Sequence, residues 1–447
     1  MPDPVHAAGK GGGPTPFVNA FGRPAINSLR YNTSHAGSPV FIAYGTCRIS
    51  VNLVEFWGFK GSGGGGKGGK GLGSSAGKKG SNQRYSVNVA FGLCQGPASF
   101  TGPAESGDLR IWANGGQAIG LGAVGLNGYA GSDGQAADPV FASADPNTPV
   151  VGYSGTCYAT GTPMQLGGSP ALPNLSFEIA GSDAGTAGPS YPFDARPDQI
   201  VTDLLTNPRY GAGFPPAQLD SAGSLADWGN YCQAAQLAMS LLLDRQQPCA
   251  RWLEEIVQLT AAAVVWSGSL LKIIPYGDQA LTANAAAWAP DLTWQYSLGD
   301  ADFLDFGGGS DPVQLTRGDP AQATNWLSVE YMDRANSYNP QIIPVFDQGL
   351  IDQYGLRSEP PIQMHEFTNP ASATVAAQLV LQRKGYIRNT YQFKLGWRYS
   401  LLEPMDIVLL TDTTLGLAGA AVRITQIDED DNGELTVTAE EIPGVTP

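Results

Sequence analysis

Charge is scarce in this 447-residue chain: Asp, Glu, Lys and Arg make up 15 % of it, against roughly 25 % in an average soluble domain. Histidine is scarcer still, with His6, His35 and His365 the whole complement, which leaves few groups for general-base chemistry, nucleophile activation or imidazole metal ligation. The five cysteines, Cys47, Cys94, Cys157, Cys232 and Cys249, are odd in number, far apart and without a C-x-x-C pair. A disulfide framework is therefore not expected, and free thiols in a protein made in a reducing cytoplasm are. Long apolar runs are missing too: the best, 259–274, is too short for a bilayer span and is broken by Gly268 and Lys272. The opening MPDPVHAAGK lacks the apolar core of a signal peptide. Positive charge is in deficit, with 25 Lys and Arg against 40 Asp and Glu for a net charge of −15, so a general binder of nucleic-acid phosphates is excluded.

Glycine and proline, by contrast, are abundant: 58 and 33 residues, one position in five. That excess disfavours a helical bundle and favours short strands joined by many turns. Apolar residues at 42 % and aromatics at 9 % supply real cores, so disorder throughout is excluded, and the length suits two to four domains. The pattern reads as an N-terminal arm over 1–38, a β-rich domain over 39–190, an α/β domain over 191–290 and a β domain over 291–447 crossed by one helix at about 370–385. The fold class is mainly β with a smaller α/β part, the last domain a β-barrel or sandwich.

Within the first domain, strands are predicted over 39–44, 48–59, 84–94, 108–113, 152–160 and 175–179, the third with Tyr85, Val87, Val89 and Phe91 on one face. Between the second and third lies GSGGGGKGGKGLGSSAGKKG, residues 61–80, a lysine-bearing stretch of linker composition that interrupts the β domain. Its lysines, Lys67, Lys70, Lys78 and Lys79, are the candidate partner- or lumen-facing loop, set against the plainer reading of a solvated spacer. Helices are predicted over 197–205, 225–239 and from Pro248 to a stop at Gly268, followed by a strand over 270–276. In the last domain strands are expected over 292–298, 326–332, 392–398, 407–410, 421–427 and 434–442, and the helix there is capped by Asn369, begins at Pro370 and ends at Gly385.

Apparent chemical motifs fail on context. Gly61 to Lys67 fits most of a phosphate-binding loop, but Gly68 stands where the Mg²⁺-holding hydroxyl belongs. Gly120, Gly122 and Gly125 match G-x-G-x-x-G, yet LNGYAGSDGQ cannot build the helix that would receive a pyrophosphate. Asp428, Asp430, Asn432 and Gly433 begin like a calcium loop, but the closing glutamate position holds Ala439 and the flanks alternate as strands, so a β-hairpin turn is expected. His365 and Glu366 are neighbours whose side chains point apart on a strand. Asp302, Asp305, Glu254 and Glu255 read as solvated or capping acids. No catalytic, metal or cofactor site is predicted.

Several segments, taken in order, carry a family resemblance: YSVNVAFGLCQGP (85–97) with LRIWANG (109–115), YSGTCYATGTPMQLGGSPALPNLSFEIAG (153–181), DQIVTDLLTNPRYGAGFP (198–215), WLEEIVQLTAAAVVWSGSLLKIIPYGD (252–278), WLSVEYMDRANSYNP (326–340) and RNTYQFKLGWRYSLLEPMDIVLLTD (388–412). Over about 39–447 the chain resembles the hub portion of phage tail-tip proteins, the family of the lambda tip attachment protein and of the large host-recognition protein of gene transfer agents. The resemblance implies a multidomain tail-hub fold similar to contractile-tail baseplate hubs, with tube-like β domains, one of them in 291–447. It implies a homotrimer at the distal end of the tail that adapts the sixfold tube to a threefold tip, closes the tube, supports host attachment and opens for ejection. The implied partners are tail tube and distal tail proteins, the tape measure protein and fibre or spike proteins, with DNA passing through without specific binding. Localisation would be the virion, after synthesis in the host cytoplasm. Larger relatives continue into receptor-binding modules where this chain stops at Pro447, so recognition is expected from a separate fibre or spike or from a longer protein. The insert 61–80 has no counterpart in the family pattern. A carbohydrate-binding or adhesin module and, further off, a glycan-cutting enzyme are the alternatives.

Overall fold

The computed structural model describes residues 17–18, 24–25, 39–63, 83–101, 109–144, 151–181, 187–307, 309 and 311–442. The fold is mostly β, and it divides into two compact units, Met1–Ser182 and Asp183–Pro447.

The first unit contains two antiparallel four-stranded sheets. One runs in the order Asn52–Gly63, Gln83–Gln95, Thr156–Gly167, Asn127–Tyr129, the other Thr46–Ser50, Leu175–Ala180, Arg110–Ala113, Gly116–Ile119. The predicted alternation of Tyr85, Val87, Val89 and Phe91 is the buried face of the first sheet, as period-2 patterning dictates. The single strand expected over 48–59 is instead two. It breaks at buried Val51, where the chain leaves one sheet for the other, a change of sheet to which alternation is blind. Trp112, which strand alternation puts on the opposite face from Leu109 and Ile111, is buried too. The Arg48 guanidinium covers its ring at 4.2 Å, a planar cation on an aromatic face. Arg110 beside it clamps buried Glu178 through both Nε and Nη2.

The glycine-rich insert closes a hairpin. Residues 61–63 belong to the strand Asn52–Gly63, and Ser62 and Gly63 pair with Arg84 and Gln83, so the insert starts later than its composition suggests. Lys67, Lys70, Lys78 and Lys79 lie outside the described residues.

In the second unit, three helices, Pro197–Thr206, Ser224–Ala234 and Cys249–Leu259, pack beside the hairpin Ala262–Ser267/Leu270–Pro275. The predicted helix from Pro248 to Gly268 thus ends early. Ala261 adopts φ 48°, and the β-branched Val264 and Val265 pair across a turn at Gly268, whose φ of 61° suits glycine. The second helix likewise stops at Ala234, short of 239, with Gln236 at φ 62°.

The C-terminal part is a seven-stranded half-barrel in the order Trp294–Leu298, Ile407–Asp412, Leu417–Glu429, Leu435–Glu441, Asn389–Leu395, the last flanked by both Phe303–Leu304 and Val313–Arg317. Its core is the inward set Tyr391, Phe393, Leu395, Val408, Leu410, Val422, Ile424, Val437 and Ala439, every second residue of each strand. Two helices, not one, lie in this region: the predicted one, Pro370–Tyr386, and the short Gln348–Tyr354. Asn369 caps the former by accepting from the Ala371 amide, as expected, but Gly385 does not end it. The hairpin at Asn432-Gly433 forms as read: Asp430 Oδ1 accepts from the amides of Asn432 and Glu434, and Gly433 takes φ 75°.

A separate three-stranded sheet sets Trp326–Asp333 between Asn339–Phe346 and Ile362–Gln363. The Met332 and Trp326 amides donate to Phe367 and Arg357, away from Asn339–Phe346. Their register partners Pro340 and Phe346, and with them Ile342 and Pro344, therefore turn their backbone polar groups to the outer edge of the sheet.

Candidate functional site

Polar side chains in the core are where function or architecture concentrates its cost, and three buried clusters stand out. The first joins segments far apart in sequence. Asp194, 1 % exposed at its side chain, pairs with the Arg334 guanidinium. It also accepts from Ser240 Oγ at 2.7 Å and Thr368 Oγ1 at 3.2 Å. Arg334 donates further to Thr368 Oγ1 at 2.6 Å and to Ser240 Oγ at 2.9 Å, and its backbone N–H reaches Thr368 O at 3.1 Å. Burial works against the charged guanidinium, but the Asp194 carboxylate and the Tyr338 hydroxyl together outweigh it, so the proton is held more tightly than in water. The cluster clasps four stretches of the second unit around one ion pair.

The second cluster centres on Asp138 in the first unit, 2 % exposed. Oδ2 accepts from Tyr129 OH and Thr160 Oγ1, both at 2.7 Å, and Oδ1 from the amides of Val140 and Phe141. Burial alone would raise its pKa; these four donors to the anion together pull it below the ordinary carboxylate value.

The third lines a cleft of about 700 Å³ in the second unit, walled by Tyr231, Tyr276, Leu379, Arg383, Arg423 and Glu440 among others. Arg383 lies 3.7 Å over the Tyr276 ring and pairs with Glu440 at 3.1 Å. Arg423 donates to Tyr276 O at 2.7 Å, and burial lowers its pKa. Glu440 is the register partner of Arg423 on the next strand, and Asp278 lines the same cleft, so each guanidinium has a carboxylate nearby. The arrangement is a seam of paired charges fixing the helix Pro370–Tyr386 to the half-barrel; it holds no nucleophile–base pair.

The acids weighed from sequence do not converge either. Asp302 accepts from Tyr399 OH at 2.6 Å and from the Gly299 amide; these bonds lower its pKa, while burial and the Asp302 bond push Tyr399 up to about 12. Asp305 accepts from the Gly307 amide, Glu254 pairs with exposed Arg251 and Glu255 with Arg245. His365 meets Glu330 at 2.8 Å, while burial, ahead of its charged neighbours, raises the pKa of Glu366. Gly122 sits in a single 3-10 turn, Leu121–Val124. Among the described residues no three His, Cys, Asp or Glu side chains gather to hold a metal, and no helix is long and apolar enough to cross a membrane.

Residues 249–427 match the family model described as putative phage tail protein, which covers the α/β hairpin, the clasp arginine and most of the half-barrel. No curated protein matches the sequence. A chain in the virion of a native gene transfer agent particle superposes with a TM-score of 0.58 at 17 % identity, over 94 % of this chain and 89 % of that one; the two share a fold. A tail protein from Neisseria meningitidis MC58 aligns over 91 % of this chain and 98 % of its own at 9 % identity and a TM-score of 0.35. Prophage tail protein gp18 from Listeria monocytogenes EGD-e aligns over 81 % and 86 % at 10 % identity and 0.32.

Proposed function

We propose that the chain is a structural component of the tail of a phage or phage-like particle, and within it the homotrimeric hub of the tip. The observation that carries this reading is the fold shared along 94 % of the chain with a protein of a gene transfer agent virion; the tail-protein match over 249–427 supports it independently. In this role the half-barrel is one tube-like domain, the trimer adapts a sixfold tube to a threefold tip, and opening of the ring releases tape measure protein and then DNA. Neighbouring tail tube, fibre or spike proteins are its partners, and its work is architectural rather than enzymatic. The net charge of −15 per subunit keeps a DNA passage free of adhesion, since like charges repel.

Light scattering on the purified chain is expected to give three times the subunit mass of 46.8 kDa, and particle reconstructions to place threefold contacts below a sixfold ring. A stable monomer that sediments apart from tails sinks the hub reading.

The lysines of the insert, Lys67, Lys70, Lys78 and Lys79, are assigned to a loop meeting acidic surface on a neighbour. Because Gly63 and Gln83 are register partners, replacing 64–82 by Asn-Gly leaves a closable hairpin. That variant is expected to fold with unchanged circular dichroism and to lose tail incorporation by tenfold or more; full infectivity removes the assignment.

A further inference from the structure

Cys47, Cys94 and Cys157 lie in the first unit, and two of them face each other. Cys94, one residue from the end of Gln83–Gln95, is the register partner of Cys157, the second residue of Thr156–Gly167. Two positions along the same antiparallel ladder the Gly96 amide donates to Gly155 O at 3.0 Å. The cysteine pair is therefore of the hydrogen-bonded type, with Cα atoms roughly 5.5 Å apart, a separation common among disulfides. Register partners project to the same face, and both thiols are fully buried. Cys47 is remote in pairing: it sits in the other sheet, opposite Ile179. Hydrogen bonding to Cys94 and then burial push the Cys157 pKa well up, so the closed ladder keeps the Cys157 thiol protonated and unreactive.

We propose that Cys94 and Cys157 are a modification site, a pair of thiols that closes to an intramolecular disulfide when a soluble disulfide such as oxidised glutathione reaches it. One cysteine thiolate attacks a sulfur of the reagent, breaks its S–S bond and expels a glutathione thiolate, which takes up a proton. The second cysteine thiolate then displaces the remaining glutathione, so two protein thiols are oxidised and one oxidised glutathione becomes two reduced molecules. Access comes through the irregularity in the ladder. A register shift between Cys157 and Tyr158 interrupts the pairing next to the cysteines, and such irregularities open at lower cost than a regular ladder. The setting rests on the tail reading: a protein made in reducing cytoplasm and released in a particle meets oxidant only afterwards. The chemistry does not depend on that reading.

The purified chain is incubated with oxidised glutathione at pH 8, unfolded in guanidinium chloride and alkylated there with N-ethylmaleimide so that every remaining thiol is reached, digested without reductant and analysed by mass spectrometry. Two of the five thiols are expected to resist alkylation, a Cys94–Cys157 linked peptide to appear, and the thermal midpoint of the first unit to rise by about 5 °C or more, because a long loop is tied in the unfolded chain. Dithiothreitol reverses all three, and Cys94→Ala abolishes the cross-link. Alkylation of all five thiols, glutathione adducts without a cross-link, or a link to another cysteine overturns the proposal. None of these results bears on whether the chain forms the tail hub, which particle symmetry decides.

Discussion

Arg334→Met is expected to destabilise the second unit by about 3–5 kcal/mol, the usual cost of leaving one member of a buried ion pair uncompensated. Methionine keeps the unbranched apolar stem of the side chain but not the guanidinium, which sits 5.3 Å over the Phe193 ring. What it removes is the charge facing Asp194, whose side chain is 1 % exposed, together with donors to Ser240 and Thr368. The Asp194 carboxylate has two hydroxyls left and no cation, so it must stay ionised in a dry site or take up a proton. Urea unfolding followed by tryptophan fluorescence, to which the fully buried Trp228 of this unit contributes, measures the loss. The double variant Arg334→Met/Asp194→Asn is expected to recover part of it, because the stranded charge is gone. A single variant within 1 kcal/mol of the parent would show that water reaches the clasp and that it behaves as a surface pair.

Asp138→Ala is expected to cost the first unit on the order of 3 kcal/mol, since it strands two hydroxyls and two amides at once. The effect carries a pH signature of definite sign. The carboxyl of Asp138 is held below the ordinary carboxylate value, so its stabilisation is fully present above that value and fades as pH falls through the lowered folded-state pKa. The difference in thermal midpoint between the parent and Asp138→Asn should therefore be constant from pH 7 to 5 and shrink below about 4. A difference that grows on acidification would mean that Asp138 is protonated in the native sheet.

How far the sequence discloses this molecule depends on the range of the interaction. Alternation over Tyr85–Phe91, the Asn369–Pro370 start of the long helix and the Asn432-Gly433 turn are local, and each forms as read. The switch of sheets at Val51 and the helix end at Leu259 are not, because they depend on which strand is waiting to pair. The clasp is the extreme case: Asp194 and Arg334 are 140 residues apart, and nothing in DARPD or MDRAN marks them as partners. Asp138 is hidden in the same way, in a turn-rich stretch whose composition suggests only loops. The cysteine pair was countable in the sequence, but its register was not.

The outer edge of Asn339–Phe346 sets a rule for neighbours. Of the four residues that turn their backbone outward there, Pro340 and Pro344 carry no N–H, so only Ile342 and Phe346 can donate. A strand from another chain laid along this edge would find every second donor missing and could not zip into a continuous ladder. Any neighbour must instead be held by side chains, on a face where Ile342 and Phe346 are half exposed and Phe346 stacks on Trp326 at 5.0 Å. Contacts of that kind depend on shape, whereas backbone ladders accept almost any sequence. At this edge the molecule can be selective about its company, and crowded chains cannot fuse their sheets here by accident.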